Sequence, residues 1–366
     1  MNENLNHEQL KNLGVQMDRK EIFDKKVTRL ISNETFYAII NSSNAHSNLT
    51  AEQEAEFFYK ITKYCANTRN YFLVSFGMVA ATLQKFGSEQ QKEEYCKNFY
   101  KDKLIASLAI TEPSGGSNLR EVSTTYQQSG NKFKLNGIKR WITFGGIADL
   151  ILVVANGDAG LLVFCLDPKT HKYSTKQMSG LIGNRASHIA ELELINTIAE
   201  KKDILGGCFK NSKQALAFSL MNGRAIAAVA ATAMAEAALE EAIQYAKSSN
   251  KTILEHQLVQ QLLADSKVMI ATSKSCCIDA FKYKRRGDIE AASQCAIAKI
   301  HASRIVQEVI RNSMQIVGGN SLLSDYNLER YYREAKAFEY IEGSTQVLTQ
   351  LVARSAILGL PRLWKK

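Results

Sequence analysis

Apolar residues recur at helical spacing through the first hundred residues of the chain. In Ala51–Tyr64, for example, Phe57 and Ile61 fall on one face, with charged residues between them. No proline interrupts residues 1–112, and proline would break a helix because it lacks an N–H donor. The pattern predicts an N-terminal helical domain over residues 1–103.

Short apolar runs replace this spacing between residues 104 and 207. Phe133–Leu135, Ile151–Val154, Leu161–Leu166 and Ile189–Leu194 have the length and composition of strands. Asn-Gly and Gly-Gly pairs, which favour turns, separate them. The pattern predicts a middle β domain.

Long helical stretches return over residues 208–366. Ala215–Ser248 is rich in alanine, the residue with the highest helix propensity, and His256–Ala280 and Ala291–Gly318 follow as further helices. Long helices with short connections predict an up-and-down bundle. The predicted fold class is therefore α+β, with helices on both sides of a β domain, and no GxGxxG or P-loop pattern suggests a Rossmann protein.

Charge and cysteine content limit the classes of function. The net charge of +10 suits an acidic carrier protein or a phosphorylated cofactor, or reflects no more than a lysine-rich surface. The basic cluster at residues 282–286 contains only one aromatic residue, so we expect no nucleic acid partner. Seven scattered cysteines without CxxC spacing predict a reducing compartment and no metal site. With no signal peptide and no membrane-spanning stretch in the sequence, we expect a cytoplasmic protein that does not bind membranes.

Two segments of the β domain carry candidate ligand contacts. Residues 109–118 combine hydroxyls and glycines, so backbone and side chains could both approach a ligand, although a simple turn explains the same residues. In Leu135–Thr143 an Asn-Gly turn signal is followed by Trp141 and Thr143. Because these two alternate, we expect both on one face of a strand; a core tryptophan is the alternative.

Glu342 is the candidate for acid–base chemistry. It follows Tyr340 and Ile341 and precedes Gly343. In a buried setting its carboxylate would have a raised pKa and act as a general base. The alternative is an acidic residue at a helix N-terminus.

Together these segments resemble the acyl-CoA dehydrogenase family. The family's TEPxxGSD loop corresponds to Thr111–Asn118, its LNGxKxWITN strand to Leu135–Phe144, and its GG…YRDA…YEGT region to Gly318–Ser344. The resemblance extends over about residues 78–357. It implies an N-terminal helical domain, a middle β-barrel and a C-terminal four-helix bundle.

The resemblance also implies an activity, the FAD-dependent dehydrogenation of an acyl thioester. Glu342 would remove the α-proton while the β-hydrogen leaves as hydride to the flavin. Some members carry the base on a bundle helix beside an arginine; here that position is Gly223, next to Arg224, which leaves Glu342 without a rival. Arg224 becomes a candidate for substrate binding, and electron-transfer flavoprotein or oxygen for the final electron acceptor.

The family's cofactor contacts correspond to further positions of this chain. Thr111 and Thr143 align with hydroxyls that bond the flavin ring, and Trp141 with the residue that packs against it. The remaining alignments are Ser117 with a cofactor or substrate contact, Ser344 and Gln346 with cofactor contacts, and Gln315, Gly318 and Gly319 with the loop that reaches a neighbouring subunit's FAD. These last three imply a homodimer or homotetramer.

The chain departs from the family at the RxQFG motif, which clasps FAD across the subunit interface. Tyr245–His256 is shorter and lacks the arginine and phenylalanine; Lys251 could supply a charge there, but as a point charge and not as a forked guanidinium. The short chain and the Ile-Glu-Gly-Ser form of the base motif resemble the subgroup that acts on acyl carrier proteins in polyketide and non-ribosomal peptide biosynthesis. We expect a carrier-bound thioester. A CoA-dependent enzyme of fatty or amino acid breakdown and a flavin-poor, non-catalytic relative are the alternatives.

Overall fold

The computed structural model describes residues 7–29, 31–41, 49–101, 103–209, 211–249 and 251–358. Helices precede and follow a set of strands, which confirms the predicted α+β fold class. The N-terminal α-helices are α1 (His7–Lys20), α2 (Asn33–Ile40), α3 (Ala51–Thr62), α4 (Ala66–Asn70), α5 (Ala81–Phe86), α6 (Glu89–Gln91) and α7 (Lys97–Lys101).

A π-helical segment, Tyr71–Ala80, lies between α4 and α5 and continues directly into α5. All ten of its residues are buried, and their apolar character on every side removes the periodicity that would mark its bounds. Helices of this wider type are rare and occur mostly at functional sites. A shorter π-helical segment, Lys92–Cys96, follows α6.

Seven strands form two sheets in the middle of the chain. They are β1 (Ala106–Ala109), β2 (Thr125–Ser129), β3 (Lys132–Ile142), β4 (Leu150–Ala155), β5 (Leu162–Leu166), β6 (Ser174–Gln177) and β7 (Ala190–Glu200). The sheets have the orders β1-β4-β5 and β2-β3-β7-β6, and an isolated bridge between Thr125 and Asn156 connects them. Side chains from both sheets, such as Phe133 and Phe164, share one buried core.

Four long helices form the C-terminal bundle: α8 (Ser212–Ser249), α9 (Gln257–Arg286), α10 (Ala291–Val317) and α12 (Thr345–Ile357). The shorter α11 (Leu328–Ala335) and a 3₁₀ turn (Lys336–Glu339) lead into α12. Helix α8 is buried on nearly all sides over residues 225–239, because alanine there allows α3, α9, α10 and the π-helical segment to approach closely. Within the described ranges, no helix has the length and apolar character needed to cross a bilayer.

A buried polar cluster fixes the chain just before α12. Arg330 pairs with Glu334 at 3.3 Å. Arg69, from the N-terminal helices, donates from its guanidinium to the side chain of Asn184 in the β domain. The same guanidinium lies 4.5 Å from the ring centre of Phe338. The segment that leads to Glu342 is therefore held by all three parts of the structure.

Candidate active site

Glu342 lies on a tight turn between the 3₁₀ turn Lys336–Glu339 and α12. Its φ angle is +56° and that of Gly343 is +94°, so two successive residues have left-handed backbone. This conformation is unfavourable for a residue with a Cβ, at roughly 1–2 kcal/mol, and glutamate adopts it only where surrounding contacts hold it. Ser344 then caps α12, since its hydroxyl accepts a hydrogen bond from the Val347 N–H at 3.3 Å.

The turn directs the Glu342 carboxylate against α8. A Cβ placed on Gly223 would lie 2.6 Å from Glu342 Oε2 and 2.9 Å from Met78 Sδ. Gly223 therefore provides the space for the carboxylate, and Met78 brings the π-helical segment to the same point. The Glu342 side chain is only partly exposed.

Two cations from the bundle bind the backbone of this turn. Arg224 Nε on α8 donates to the Glu342 carbonyl at 3.2 Å, and Lys299 Nζ on α10 donates to the Gly343 carbonyl at 2.9 Å. Among the described residues, no donor or ion-pair partner contacts the Glu342 carboxylate itself. The carboxylate thus lies beside two positive charges without being tied to either, and its oxygens remain able to accept a proton.

The electrostatic setting suits a general base. Burial raises the pKa of Glu342 to about 7, against the opposing effect of Arg224 and Lys299. Burial also lowers the pKa of Lys299 to about 8, where the Glu342 charge acts to raise it. Near neutral pH a large share of Glu342 is ionised, and a base with a pKa near the working pH transfers protons most effectively.

The loop at residues 109–118 is fastened to β3 by a buried ion pair. Lys139 Nζ lies 2.7 Å from Glu112 Oε1, and both side chains are almost completely buried. Burial acts to raise the pKa of the Glu112 carboxyl, but hydrogen bonds from Lys139, Ser123 and Thr124 hold this pKa at about 2. The Arg140 N–H also donates to the Thr111 carbonyl at 2.7 Å. The two sequence motifs of the β domain therefore form one structural unit.

The prediction that Trp141 and Thr143 share one face of a strand is wrong. Strand β3 ends at Ile142, and its pairing with β7 is irregular between Lys139 and Ile142. Trp141 has a φ of +63° and Phe144 one of +61°, so the chain leaves the sheet through a bulge and a turn. The alternation of side chains along a regular strand could not predict this change. Trp141 is 52% exposed, which excludes a core role for its indole.

The other predicted cofactor residues lie in three places. Ser117 is exposed in the β-domain loop, and Ser344 and the exposed Gln346 begin α12 two and four residues after the base. Gln315, Gly318 and Gly319 are exposed at the far end of α10. Nineteen residues of helix separate Lys299 from Gly318, which corresponds to about 28 Å at 1.5 Å per residue. The side chain of Lys251 lies outside the described part of the chain.

The residues that the family resemblance assigns to the flavin ring have side chains that suit it. Within the part of the chain that the structure describes, the hydroxyls of Thr111 and Thr143 have no hydrogen-bond partner and are free to donate. Gly116 lies close to Thr111, since a Cβ there would lie 2.6 Å from Thr111 Oγ1, so only glycine keeps that loop compact. Free hydroxyls beside an exposed indole match a flat, polar-edged ring, so these residues fit the isoalloxazine group.

Lys299 and Met78 belong to the site but were not predicted from the sequence. Lys299 is fully buried on the face of α10 that also carries Cys295, Ala302 and Val306. The sequence did carry a signal for Lys299, which is a lysine within the apolar stripe of a helix. A buried ammonium needs a compensating partner, so such a lysine indicates a polar site. Nothing in the sequence distinguished Met78 from the other apolar residues around it.

Comparison with known proteins places the chain among acyl-thioester oxidoreductases. Residues 107–197 match the family described as "Acyl-CoA dehydrogenase, middle domain", and residues 213–357 match "Acyl-CoA dehydrogenase, C-terminal domain". A subunit of the caffeyl-CoA reductase–Etf complex of Acetobacterium woodii is 30% identical over 278 residues, which cover 73% of this chain and 72% of that protein. A 3-(aryl)acrylate reductase of Clostridium sporogenes is 26% identical over 360 residues, covering 96% of this chain and 95% of the relative.

A solved structure extends the similarity to the whole fold. The prolyl acyl carrier protein oxidase AnaB superposes with a TM-score of 0.85 at 24% sequence identity, and the match covers 98% of this chain and all of that one. At this identity the similarity establishes the fold only. The N-terminal helices, the β domain and the bundle are thus arranged as in these flavoproteins.

Proposed function

The chain belongs to the acyl-CoA dehydrogenase family of FAD-dependent oxidoreductases, and on that premise we propose that Glu342 is the base that removes the α-proton of its acyl thioester. The observation that carries this proposal is the placement of an unpaired carboxylate, with a pKa near 7, in the space left by Gly223. A thioester carbonyl acidifies the α-carbon, so a base of this strength beside two positive charges is adequate. The three atoms nearest to a Cβ on Gly223 are two atoms of the Glu342 carboxylate and Met78 Sδ.

The chain's residues have separate tasks in this reaction. Gly223 and Met78 line the space that holds the carboxylate. Arg224, whose guanidinium pKa burial lowers, lies beside the base and is our candidate for a substrate contact. Thr111, Trp141 and Thr143 would hold FAD, which would supply the acceptor for the β-hydride when bound.

Gln315, Gly318 and Gly319 are assigned to a second subunit's cofactor. They lie about 24–30 Å along α10 from Lys299 at 1.5 Å per residue, too far to contact a flavin ring bound beside Glu342 in the same chain. We therefore include a homo-oligomer in the proposal, with FAD bound across its interface. Sedimentation of the flavin-loaded protein tests it, since a monomer with full flavin content would contradict this assignment.

We propose that the acyl thioester is bound to an acyl carrier protein. The net charge of +10 favours an acidic partner, and a structural neighbour, AnaB, is by its title an oxidase of a prolyl acyl carrier protein. The test is to compare kcat/KM for one acyl group on a carrier protein and on CoA. A preference for the carrier that decreases with salt supports the proposal, and equal or better use of CoA would favour the catabolic alternative.

Reduction of an unsaturated thioester is a second candidate activity. Two relatives are by name reductases, of a 3-(aryl)acrylate and of caffeyl-CoA, and the second is a subunit of a complex with an electron-transfer flavoprotein. The same Glu342 would then deliver the proton to the α-carbon, because the reverse reaction passes through the same transition state. Rates with an acyl thioester plus an oxidised dye, and with an enoyl thioester plus a reduced dye, would show which direction the protein favours. We propose an electron-transfer flavoprotein as the physiological electron partner, in a cytoplasmic setting.

A further inference from the structure

The turn that carries Glu342 depends on contacts from outside itself. Both Glu342 and Gly343 have left-handed backbone, and hydrogen bonds within the turn do not enforce it. The carbonyl of each residue instead accepts a bond from a cation, Glu342 from Arg224 at 3.2 Å and Gly343 from Lys299 at 2.9 Å. The two cations belong to α8 and α10, neighbouring helices of the bundle.

Lys299 is the less expected member of this pair. Its side chain is completely buried, and a buried ammonium is costly unless its surroundings compensate it. In the described part of the chain, its one hydrogen bond goes to the Gly343 carbonyl and no carboxylate lies within 4 Å of it. A purely structural lysine would be expected to pair directly, as Lys284 of α9 does with Glu54.

Three charged groups act on Lys299. They are the Glu342 carboxylate and the Arg224 guanidinium, both at the site, and the carboxylate of Glu339, which also pairs with Lys336. Glu342 in turn is influenced by Arg224 and Lys299. An ammonium that binds the backbone beside the carboxylate, and not the carboxylate itself, adds positive charge while leaving both carboxylate oxygens free to take a proton.

We propose that Lys299 is a positioning residue for the base: it holds the Gly343 carbonyl so that the turn directs Glu342 at Gly223, and its charge favours the ionised form of the Glu342 carboxylate. The inference rests on the proposed function of Glu342. It assigns two separable effects to Lys299, one from its hydrogen bond and one from its charge.

Three substitutions separate the hydrogen bond from the charge. Lys299→Arg keeps the charge and a donor, Lys299→Gln keeps a donor without the charge, and Lys299→Met removes both. Loss of an opposite charge at this range raises a carboxyl pKa by about one pH unit or more. In Lys299→Gln and Lys299→Met, the acidic (lower) limb of the pH–rate profile should therefore move to higher pH by about one unit. In Lys299→Arg it should stay near its wild-type position. A rise of the Glu342 pKa from about 7 to about 8 reduces the ionised fraction of this carboxyl at pH 7 about fivefold.

The experiment measures exchange of the substrate α-proton with D₂O against pH, by mass spectrometry, using a thioester that lacks a β-hydrogen. The readout reports the base without requiring flavin reduction. Lys284→Met serves as the matched control, because it removes a buried lysine of the same bundle that does not face Glu342. The maximal exchange rate should fall in Lys299→Met and remain closer to wild type in Lys299→Gln.

A lower limb that stays in place in both Lys299→Gln and Lys299→Met would overturn the proposal. So would a Lys284→Met shift of the same size, because the effect would then reflect general loosening of the bundle. If Lys299→Met fails to fold, Lys299→Gln against Lys299→Arg still decides the role of the charge. Absence of exchange in the wild type, or its persistence in Glu342→Gln, would count against Glu342 as the base and not against Lys299.

Discussion

The Glu342 carboxylate occupies the space in which a side chain on Gly223 would lie, with Oε2 2.6 Å from the position of a Cβ. The family resemblance offers these two positions for a base. In this chain the carboxylate at position 342 fills the volume that a side chain at position 223 would enter. The absence of a side chain on Gly223 therefore lets Glu342 take the position that it has in this structure.

Gly223→Ala is expected to displace the base. Alanine favours a helix over glycine by about 0.5–1 kcal/mol, so the fold should persist, but its methyl group cannot coexist with the carboxylate in place. A misplacement of about 1 Å commonly reduces a rate by about 100-fold, and we expect a loss of that order in substrate-dependent flavin reduction. Stopped-flow absorbance of the flavin band measures it.

The control for this variant is Gly146→Ala. A Cβ there would meet only His188 atoms at 3.7 Å and 3.9 Å, which is ordinary packing contact. Its rate should remain within about twofold of the wild type, on the usual scale for surface substitutions. A Gly223→Ala protein with an undiminished rate would mean that Glu342 works from a position other than the one described here.

Stability should depend on pH through Glu342. Its folded pKa of about 7 lies above its ordinary value of 4.5, so the folded state binds the proton more tightly. The associated stability is fully present below about pH 4.5 and is lost as the pH rises through 7. Glu342→Gln, which stays neutral, should therefore become more stable relative to the wild type across this window, by up to about 3 kcal/mol.

Urea unfolding of both proteins between pH 4.5 and 7.5 tests this difference. Glu93→Gln is the control, because that carboxylate is exposed and pairs only with the exposed Lys97. Parallel curves for the wild type and Glu342→Gln would show that the Glu342 carboxyl is solvated in the folded protein.

Removing one partner of the Glu112–Lys139 pair should weaken the β domain. Glu112→Ala leaves a fully buried ammonium and the N–H groups of Ser123 and Thr124 without their acceptor. Breaking a buried pair in this way typically costs about 3–5 kcal/mol. Because the pair holds the Thr111 loop on β3, flavin affinity should fall together with the free energy of unfolding. Glu93→Ala, which removes an exposed carboxylate, is the control. A loss in Glu112→Ala no larger than in this control would contradict the account.

The helices and the order of the domains could be predicted from the sequence, because both follow from the local periodicity of apolar residues. Helices α8 and α10 begin and end within three residues of the predicted bounds, since alanine content and the apolar stripe continue through them. Helix α9 begins as predicted but continues six residues beyond Ala280. The π-helical segment Tyr71–Ala80 was not predicted. Its residues are apolar on all sides, so no face marks the change in helical period.

The site was accessible only in part. Glu342, Gly223 and Arg224 were named from a motif and its neighbours, and the structure brings these three together. The direction of Trp141 was missed because a bulge ends β3, and pleat alternation assumes an uninterrupted strand. Lys299 was missed because its contact with the Gly343 carbonyl spans 44 residues and is set by the packing of α10 against the turn.

The central claim is that Glu342 starts the dehydrogenation of an acyl thioester with FAD as the acceptor. The most direct measurement mixes the flavin-loaded protein with an acyl thioester under anaerobic conditions and follows the flavin absorbance near its visible maximum. The account predicts bleaching in the wild type and, in Glu342→Gln with equal flavin content, a rate lower by about 10²–10⁴-fold. Bleaching at an unchanged rate in Glu342→Gln would contradict the claim, as would a wild-type protein that binds no flavin even when FAD is added.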